Sequence, residues 1–453
     1  MSTANTTTIR AQGFSGVVDD LALETPVVTS RRVQDRGLPV FINDDTGEPE
    51  LFDPFLLKKE GRIRAPGMCI LANRGHGKTT TNMHLAKTFS ARKGRDGAVF
   101  RVCGDDHRRD DGRPEYQMLA LDLGVEEVSL ATYQLNCLDM AMGMTHAQQL
   151  GMVRVLLKHV FGNQLKPLHG EALRYALTIV RRDYPKTAEL ELVPEILRTI
   201  EEDDIRELLH EARRSLRSRH ADNPKFQELQ RRNVRLSKGI LEASVELAGM
   251  LEELLDGEYA GIFGGQQSLA EILQRRFVIF DYSGLSEEAV MLVQSMMWFW
   301  RAAAIANQDF RFRFDMEFHD ENYKLWQYEV YAKAMHQYLK QLRSHSTFVI
   351  LDTHRLGDYE TVGKKGSQTY KLATNAIREI DIFLIGLLDQ ASAEEAGEFL
   401  RLTTEEVAHI QRLKVGHWGL KIGSERIIWV RIDLTDSLRK ASYSDDANDH
   451  MLA

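Results

Sequence analysis

Apolar residues change their spacing at a few points along the chain, and those changes predict the elements. Met68 to Leu71 is an unbroken apolar run, as in a strand buried on both faces. A loop with two glycines follows. From Lys78 the apolar positions fall at helical spacing, through Met83, Leu85, Ala86 and Phe89, which predicts a helix over 78–92. Ala98 to Val102 predicts a second strand, Tyr116 to Leu123 a helix, and Glu127 to Leu130 a short strand. Between 140 and 260 the spacing is helical throughout, at 150–161, 172–180, 205–216 and 240–255, and strand alternation is missing. Strand character returns at Phe277 to Asp281. Helix 286–306, strand 314–319, helix 322–342 and strands 347–351 and 380–386 follow. Helices 392–400 and 404–412 and closing strands near 417–421 and 426–432 complete the pattern.

Strands alternating with helices predict an α/β fold with a mainly parallel sheet covered on both faces. The long helical run predicts an all-helical domain inserted into that core. The expected organisation is an N-terminal arm (1–62), a first core part (63–139), the helical insertion (140–262), a second core part (263–435) and a disordered polar tail (436–453). The arm holds strand-like pieces, Val27-Val28-Thr29 and Pro39-Val40-Phe41-Ile42, among Gly, Asp and Pro turn signals. It packs either on the core or on a neighbour.

Composition narrows the class. Of 453 residues, 43% are hydrophobic and 27% charged, which is globular, and the length suits two or three domains. A net charge of −8 restricts any nucleic-acid contact to a local patch. Cys69, Cys103 and Cys137 lack metal-ligand spacing, which fits reduced thiols in a cytosolic compartment. Met1 to Arg10 has no apolar core and is not a secretory signal. The longest apolar stretch, Ala289 to Ala306, is interrupted by Gln294, Ser295 and Arg301, which predicts a buried helix and not a membrane span.

The candidate chemistry lies at the first strand–helix junction, Ala72-Asn73-Arg74-Gly75-His76-Gly77-Lys78-Thr79-Thr80. Glycines let a backbone close around an anion with its N–H groups inward, and a helix start adds partial positive charge. Lys78 is placed for β- and γ-phosphates, and Thr79 for Mg²⁺ through its hydroxyl. Ala72 stands where G-x-x-x-x-G-K-[ST] has its first glycine, which costs little if that residue keeps a negative φ.

Two strand ends carry acids. Asp320 and Glu321 follow strand 314–319, the first suited to the Mg²⁺ shell and the second to deprotonating water. Asp281 ends the strand Phe277 to Asp281 and competes for the metal role; Asp320 is preferred because a second carboxylate follows it. The insertion holds Arg213, Arg214, Arg217, Arg219, Lys225, Arg231, Arg232, Arg235 and Lys238. These make either a solvated helix face, relieved by Glu211, Asp222 and Glu228, or a surface for DNA or a partner.

The order of these motifs resembles the ATPase domain of the VirB/TraC-type conjugative type IV secretion ATPases, in the HerA–FtsK superfamily. Phe280-Asp281-Tyr282-Ser283-Gly284-Leu285 is similar to that family's apolar-Asp-x-Ser-x-Leu strand end. His319-Asp320-Glu321-Asn322-Tyr323-Lys324-Leu325-Trp326 is similar to its Asp-Glu-Ala-Trp segment. Arg343 with Thr353-His354 resembles its arginine followed by Thr-Gln, with His354 in place of Gln. Leu135-Asn136-Cys137-Leu138-Asp139 resembles its Asn-Pro-Leu-Asp segment. Leu402-Thr403-Thr404-Glu405-Glu406 and Leu413-Lys414-Val415-Gly416 resemble its closing helix and glycine turn. The likeness runs from about 63 to 435, and the large N-terminal domain of full-length secretion ATPases is unmatched.

The resemblance implies a RecA-like P-loop core that binds ATP and Mg²⁺ between subunits of a homo-hexamer. Arg343 is then either an arginine finger for a neighbour's γ-phosphate or an ordinary helix C-terminal arginine. His354 is either a γ-phosphate ligand or a structural histidine. The implied function is an ATP-hydrolysing motor of a conjugation-like type IV secretion system, energising DNA or protein transfer or pilus assembly. The implied location is cytoplasmic, brought to the inner face of the membrane by secretion components. A coupling-protein-like or HerA/FtsK-like translocase on duplex DNA is the alternative, and a nucleotide-gated scaffold with weak hydrolysis a further one.

Overall fold

A computed structural model of the chain describes residues 33–90, 101–106, 127–133, 135–139, 143–201, 224–257, 275–306, 315–319, 322–342, 347–360 and 367–435, with a strand pair within 8–17 and a few single positions. The chain divides into two compact units. One comprises 1–92, 348–358 and 377–453; the other comprises 93–347 and 359–376.

The first unit begins with an antiparallel pair, β1 (Thr8–Ala11) and β2 (Phe14–Val17). Strands β3 (Leu38–Asn43) and β4 (Pro49–Phe52) form a hairpin. The Asn43 side chain closes its turn by accepting the N–H groups of Asp45 and Thr46 at 2.9 and 3.1 Å. Helix α1 (Pro54–Lys59) is started by Asp53, whose carboxylate accepts the N–H groups of Phe55 and Leu56, with Pro54 at a position that needs no donor. Strand β5 (Gly67–Leu71) is buried at every residue, as its apolar run predicts. Helix α2 (Lys78–Ser90) buries Met83, Leu85, Ala86 and Phe89.

The second unit contains β6 (Arg101–Asp106), β7 (Glu127–Ser129), the helices α3 (His146–Phe161), α4 (Pro167–Asp183), α5 (Leu192–Thr199) and α6 (Pro224–Asp256), then β8 (Phe277–Asp281), α7 (Glu287–Ala306), β9 (Asp315–His319), α8 (Glu329–Gln341) and α9 (Gln368–Ile377). Its strands run in the order β9-β6-β8-β7 and are all parallel. Between 143 and 257 every described element is helical, as the periodicity predicts. Thr145 and Gln148 form a capping box that starts α3. The predicted helix 205–216, apart from Ile205, lies outside the described residues, as do Val27 to Thr29, Ala98 to Phe100, most of Tyr116 to Leu123 and the tail from 436.

Two findings refine the sequence pattern here. The predicted helix 322–342 is broken into a 3₁₀ turn (Asn322–Gln327) and α8, with Tyr328 extended between them. The break lets the fully buried Trp326 pack edge-on against Tyr331, with ring centroids 5.9 Å apart. The polar residues interrupting β9 are partnered inside: buried Glu317 accepts the Tyr338 hydroxyl at 2.8 Å, and buried His319 packs at a tilt against Trp298, with ring centroids 4.5 Å apart. Helix α7 buries Met296, Met297, Trp298 and Trp300. Among the described residues no helix is long and apolar enough to cross a membrane.

The rest of the first unit is β10 (Thr347–Thr353), β11 (Ile382–Ile385), α10 (Gln390–Leu400), α11 (Thr404–Ile410), β12 (His417–Ile422) and β13 (Ile428–Arg431). Its strands run in the order β4-β3-β13-β12-β11-β5-β10. Strand β5 is parallel to both neighbours, β10 and β11. From β11 outward every pairing is antiparallel, so within this unit the sheet is parallel only among β11, β5 and β10.

Of the two placements open to the N-terminal segment, residues 38–52 take the core. Strand β3 bonds to β13, and Phe52 meets Phe41, Phe89 and Phe348 at centroid distances of 5.8, 6.4 and 6.0 Å. The His84 ring of α2 bonds to the Val40 carbonyl at 2.7 Å. Phe52 is fully buried, so Phe52→Ala should destabilise the first unit by about 3–5 kcal/mol in denaturant unfolding. A loss under about 1 kcal/mol, the scale of a surface change, would mean that the hairpin is not part of the core.

Candidate phosphate-binding site

The loop 72–77 leaves β5 between β10 and β11, at the carboxyl ends of three parallel strands. Its base is fastened on both sides. The Ala72 N–H donates to the Thr353 carbonyl of β10 at 3.3 Å, and the Asn73 N–H donates to the Leu387 carbonyl, just past β11, at 3.0 Å. Gly75 and Gly77 take φ of +75° and +93°, a region that strains any residue with a Cβ. Arg74 and Gly75 are exposed, while Asn73, Gly77, Thr79 and Thr80 are partly exposed. The Thr81 N–H and hydroxyl both bond to the Gly77 carbonyl at 2.9 Å, which fixes the first turn of α2.

Lys78 is the first residue of α2 and is almost buried. Its ammonium donates to the Ala72 carbonyl at 3.1 Å and to His354 Nδ1 at 2.8 Å. A lysine only donates, so His354 Nδ1 is the acceptor and the ring carries its proton on Nε2. Sequence reasoning set His354 near Lys78 only by resemblance; the fold puts the two side chains in contact. Lys78 thus folds back over the loop on neutral acceptors, within reach of an anion held there.

Ala72 has a physical explanation. A Cβ on Gly386, the residue after β11, would lie 2.8 Å from the Ala72 Cβ and 2.6 Å from His76 Nε2. The missing glycine of the loop is therefore matched by a glycine on the adjacent chain. Gly386, Leu387, His417 and the buried Asp352 shape this site and were not singled out in the sequence. The sequence sign for Gly386 is a glycine closing the apolar run Ile382 to Ile385. Asp352, behind α2, accepts a long 3.4 Å bond from Asn82.

His76 is buried at 2% exposure, and its side chain turns away from the exposed crest of the loop. Burial pushes its imidazole pKa down, and the Lys78 charge adds to that, against the raising effect of the His417 carbonyl.

In the second unit, Asp281 ends β8, with one carboxylate oxygen accepting the Ser283 N–H at 2.8 Å and the Ser283 hydroxyl. That is a turn-closing carboxylate. Asp320, Glu321 and Arg343 lie outside the described residues, as do Arg213, Arg214 and Arg217. Arg231, Arg232 and Arg235 lie on α6, with side chains outside the described set. Among the described residues no group of three or more His, Cys, Asp or Glu side chains is placed to hold a metal.

No protein-family model matches the sequence. No curated protein matches it either. Solved structures do match in fold. VirB4 of Thermoanaerobacter pseudethanolicus aligns with a TM-score of 0.62 at 16% identity, over 90% of this chain and 100% of that one. The bacterial conjugative coupling protein TrwBdeltaN70, in complex with sulphate, aligns at 0.53 and 12% identity over 90% of each chain. Plasmid coupling protein TrwB in complex with ADP and Mg²⁺ aligns at 0.51 and 12% identity, over 96% of this chain and 97% of that one. The chain thus has the RecA-like P-loop fold of these proteins, as its motifs implied.

Lys78→Ala should weaken binding of ADP with Mg²⁺ by about tenfold or more, since a charge-assisted contact to phosphate is lost. The far-UV circular dichroism should be unchanged. Unaltered binding would mean that the loop is not a phosphate site. Asp281→Asn, which keeps an oxygen for Ser283, should leave ATP turnover nearly intact if the turn is its role.

Proposed function

We propose that this chain is a Mg²⁺-dependent ATPase acting as a motor of a conjugation-like type IV secretion system, energising DNA or protein transfer or pilus assembly. The observation that carries the reading is Lys78, held at the start of α2 over a loop fastened to β10 and β11, with His354 at its tip. What supports the finer reading is that the same fold is found in VirB4 and in the coupling protein TrwB, the latter in complex with ADP and Mg²⁺.

In this reading the loop N–H groups and Lys78 hold the β- and γ-phosphates, and Thr79 and Asp320 complete the Mg²⁺ shell. Glu321 takes the proton of the attacking water. His354 donates its Nε2 proton toward the γ-phosphate or the water. Arg343 reaches a neighbour's γ-phosphate in a homo-hexamer, so each site is completed by the next subunit. The protein works in the cytoplasm against membrane-bound secretion components. A second reading, a translocase gripping duplex DNA, is favoured by the fold likeness to the coupling protein TrwB and by Arg231, Arg232 and Arg235 on α6. DNA-stimulated hydrolysis separates the two: strong stimulation supports the translocase, and an unchanged rate supports the motor.

Glu321→Gln should bind ATP and fail to hydrolyse it, since the amide keeps the shape but takes no proton. Arg343→Ala should bind ATP and lose hydrolysis by roughly 10³–10⁵, the worth of such fingers in other NTPases. Mixing Arg343→Ala with Lys78→Ala subunits should restore part of the activity. Once subunit exchange has been shown with tagged protein, no recovery at any mixing ratio would exclude a finger acting in trans.

A further inference from the structure

The loop carries one side chain that its phosphate chemistry does not use. His76 sits between Gly75 and Gly77, yet its ring is buried while Arg74 and Gly75 beside it are exposed. The ring packs edge-on against Trp418 of β12, with centroids 4.8 Å apart. Nε2 lies 3.0 Å from the His417 carbonyl and 3.3 Å from the Leu387 N–H. One nitrogen cannot serve both in one tautomer, and the shorter contact makes Nε2–H a donor to His417. The ring fits because Gly386 has no Cβ.

The acceptor is itself held. His417 pairs with Arg431 across β12 and β13, and its Nδ1 donates to Asp44 at 2.7 Å. Arg431 bonds to the other Asp44 oxygen at 3.1 Å, and the Asp44 N–H donates to the Trp429 carbonyl at 3.0 Å. Asp44 lies in the turn of the N-terminal hairpin. A continuous set of contacts therefore runs from that hairpin, through β13 and β12, to the crest of the loop.

A loop whose N–H groups must converge on an anion has like partial charges facing one another when no anion is there. Something other than those N–H groups must hold its shape, and ordering done in advance lowers the cost of binding. We propose that His76 is a positioning residue that pins the loop in its phosphate-receiving shape from the socket at Gly386, and that the Asp44–His417–Arg431 cluster makes the N-terminal hairpin part of that pin. The proposal rests on the loop's being a phosphate site.

The test is calorimetric titration of the full chain with ADP and Mg²⁺, comparing wild type with His76→Ala, His76→Gln and Asp44→Ala, alongside the nucleotide-free melting temperature of each. His76→Ala should weaken binding by about tenfold, the worth of a well-placed hydrogen bond. His76→Gln, whose amide can still donate to the His417 carbonyl, should lie within about threefold of wild type. Asp44→Ala touches no part of the loop and should still weaken binding by about threefold. Wild-type affinity in His76→Ala, or equal weakness in His76→Ala and His76→Gln, overturns the pin; wild-type affinity in Asp44→Ala overturns the hairpin's part in it. Lowered melting temperatures with affinities unchanged would make the cluster structural only. Wild type that fails to bind ADP overturns the phosphate-site reading itself, a result distinct from all of these. If His76→Ala does not fold, the other two variants still decide.

Discussion

A backbone that must keep its N–H groups free for an anion cannot use them to hold its own shape, so the loop after β5 depends on being fixed at its base. The strands on both sides of β5 supply that. Thr353 at the end of β10 accepts from Ala72, Leu387 beyond β11 accepts from Asn73, and the Gly386 N–H donates to Leu71 at 2.8 Å. These bonds carry the parallel pairing past the point where β5 ends as a strand. They are anchored in the parallel strands β5, β10 and β11, which are buried at every residue. That burial gives the base of the loop a close-packed support.

The same constraint explains why the residue that departs from the usual motif is tolerated. A methyl at Ala72 needs space on the β11 side, and Gly386 leaves it. The loop motif therefore spans two segments far apart in sequence, and a one-stretch pattern sees only half of it. His76 occupies the remaining part of that space and meets β12 through Trp418 and His417. Antiparallel β12 and β13 are thus more than a closing edge: they carry the groups that back the loop.

What the sequence made legible followed from local period. The apolar run of β5, the switch to helical spacing at Lys78 and the unbroken helical spacing of α3 to α6 needed no tertiary information. What it hid depended on partners distant in the chain. The hairpin β3–β4 joins the sheet through β13 and a cluster of four phenylalanines, Phe41, Phe52, Phe89 and Phe348, so its short strands among turn residues read as an arm. The break at Tyr328 follows from burying Trp326, and helical spacing runs through it undisturbed. Glu317 and His319 looked like flaws in a strand because Tyr338 and Trp298, which receive them, lie on separate helices. The Asp281 carboxylate looked like an acid presented at a strand end, and its bonds to Ser283, two residues on, needed the turn to be seen.

The pose of Lys78 bears on the histidine that stands where the resembling family carries glutamine. Lys78 donates to Nδ1 of His354, which fixes a neutral ring with Nε2 protonated. The ring then offers one acceptor to the lysine and one donor on its far side. A glutamine amide offers the same pair, its oxygen to the lysine and its nitrogen outward, so the change of residue keeps the sense of both hydrogen bonds. What it alters is the third state. A doubly protonated imidazole accepts nothing, and at this spacing it sets a second positive charge beside the Lys78 ammonium, which an amide never does.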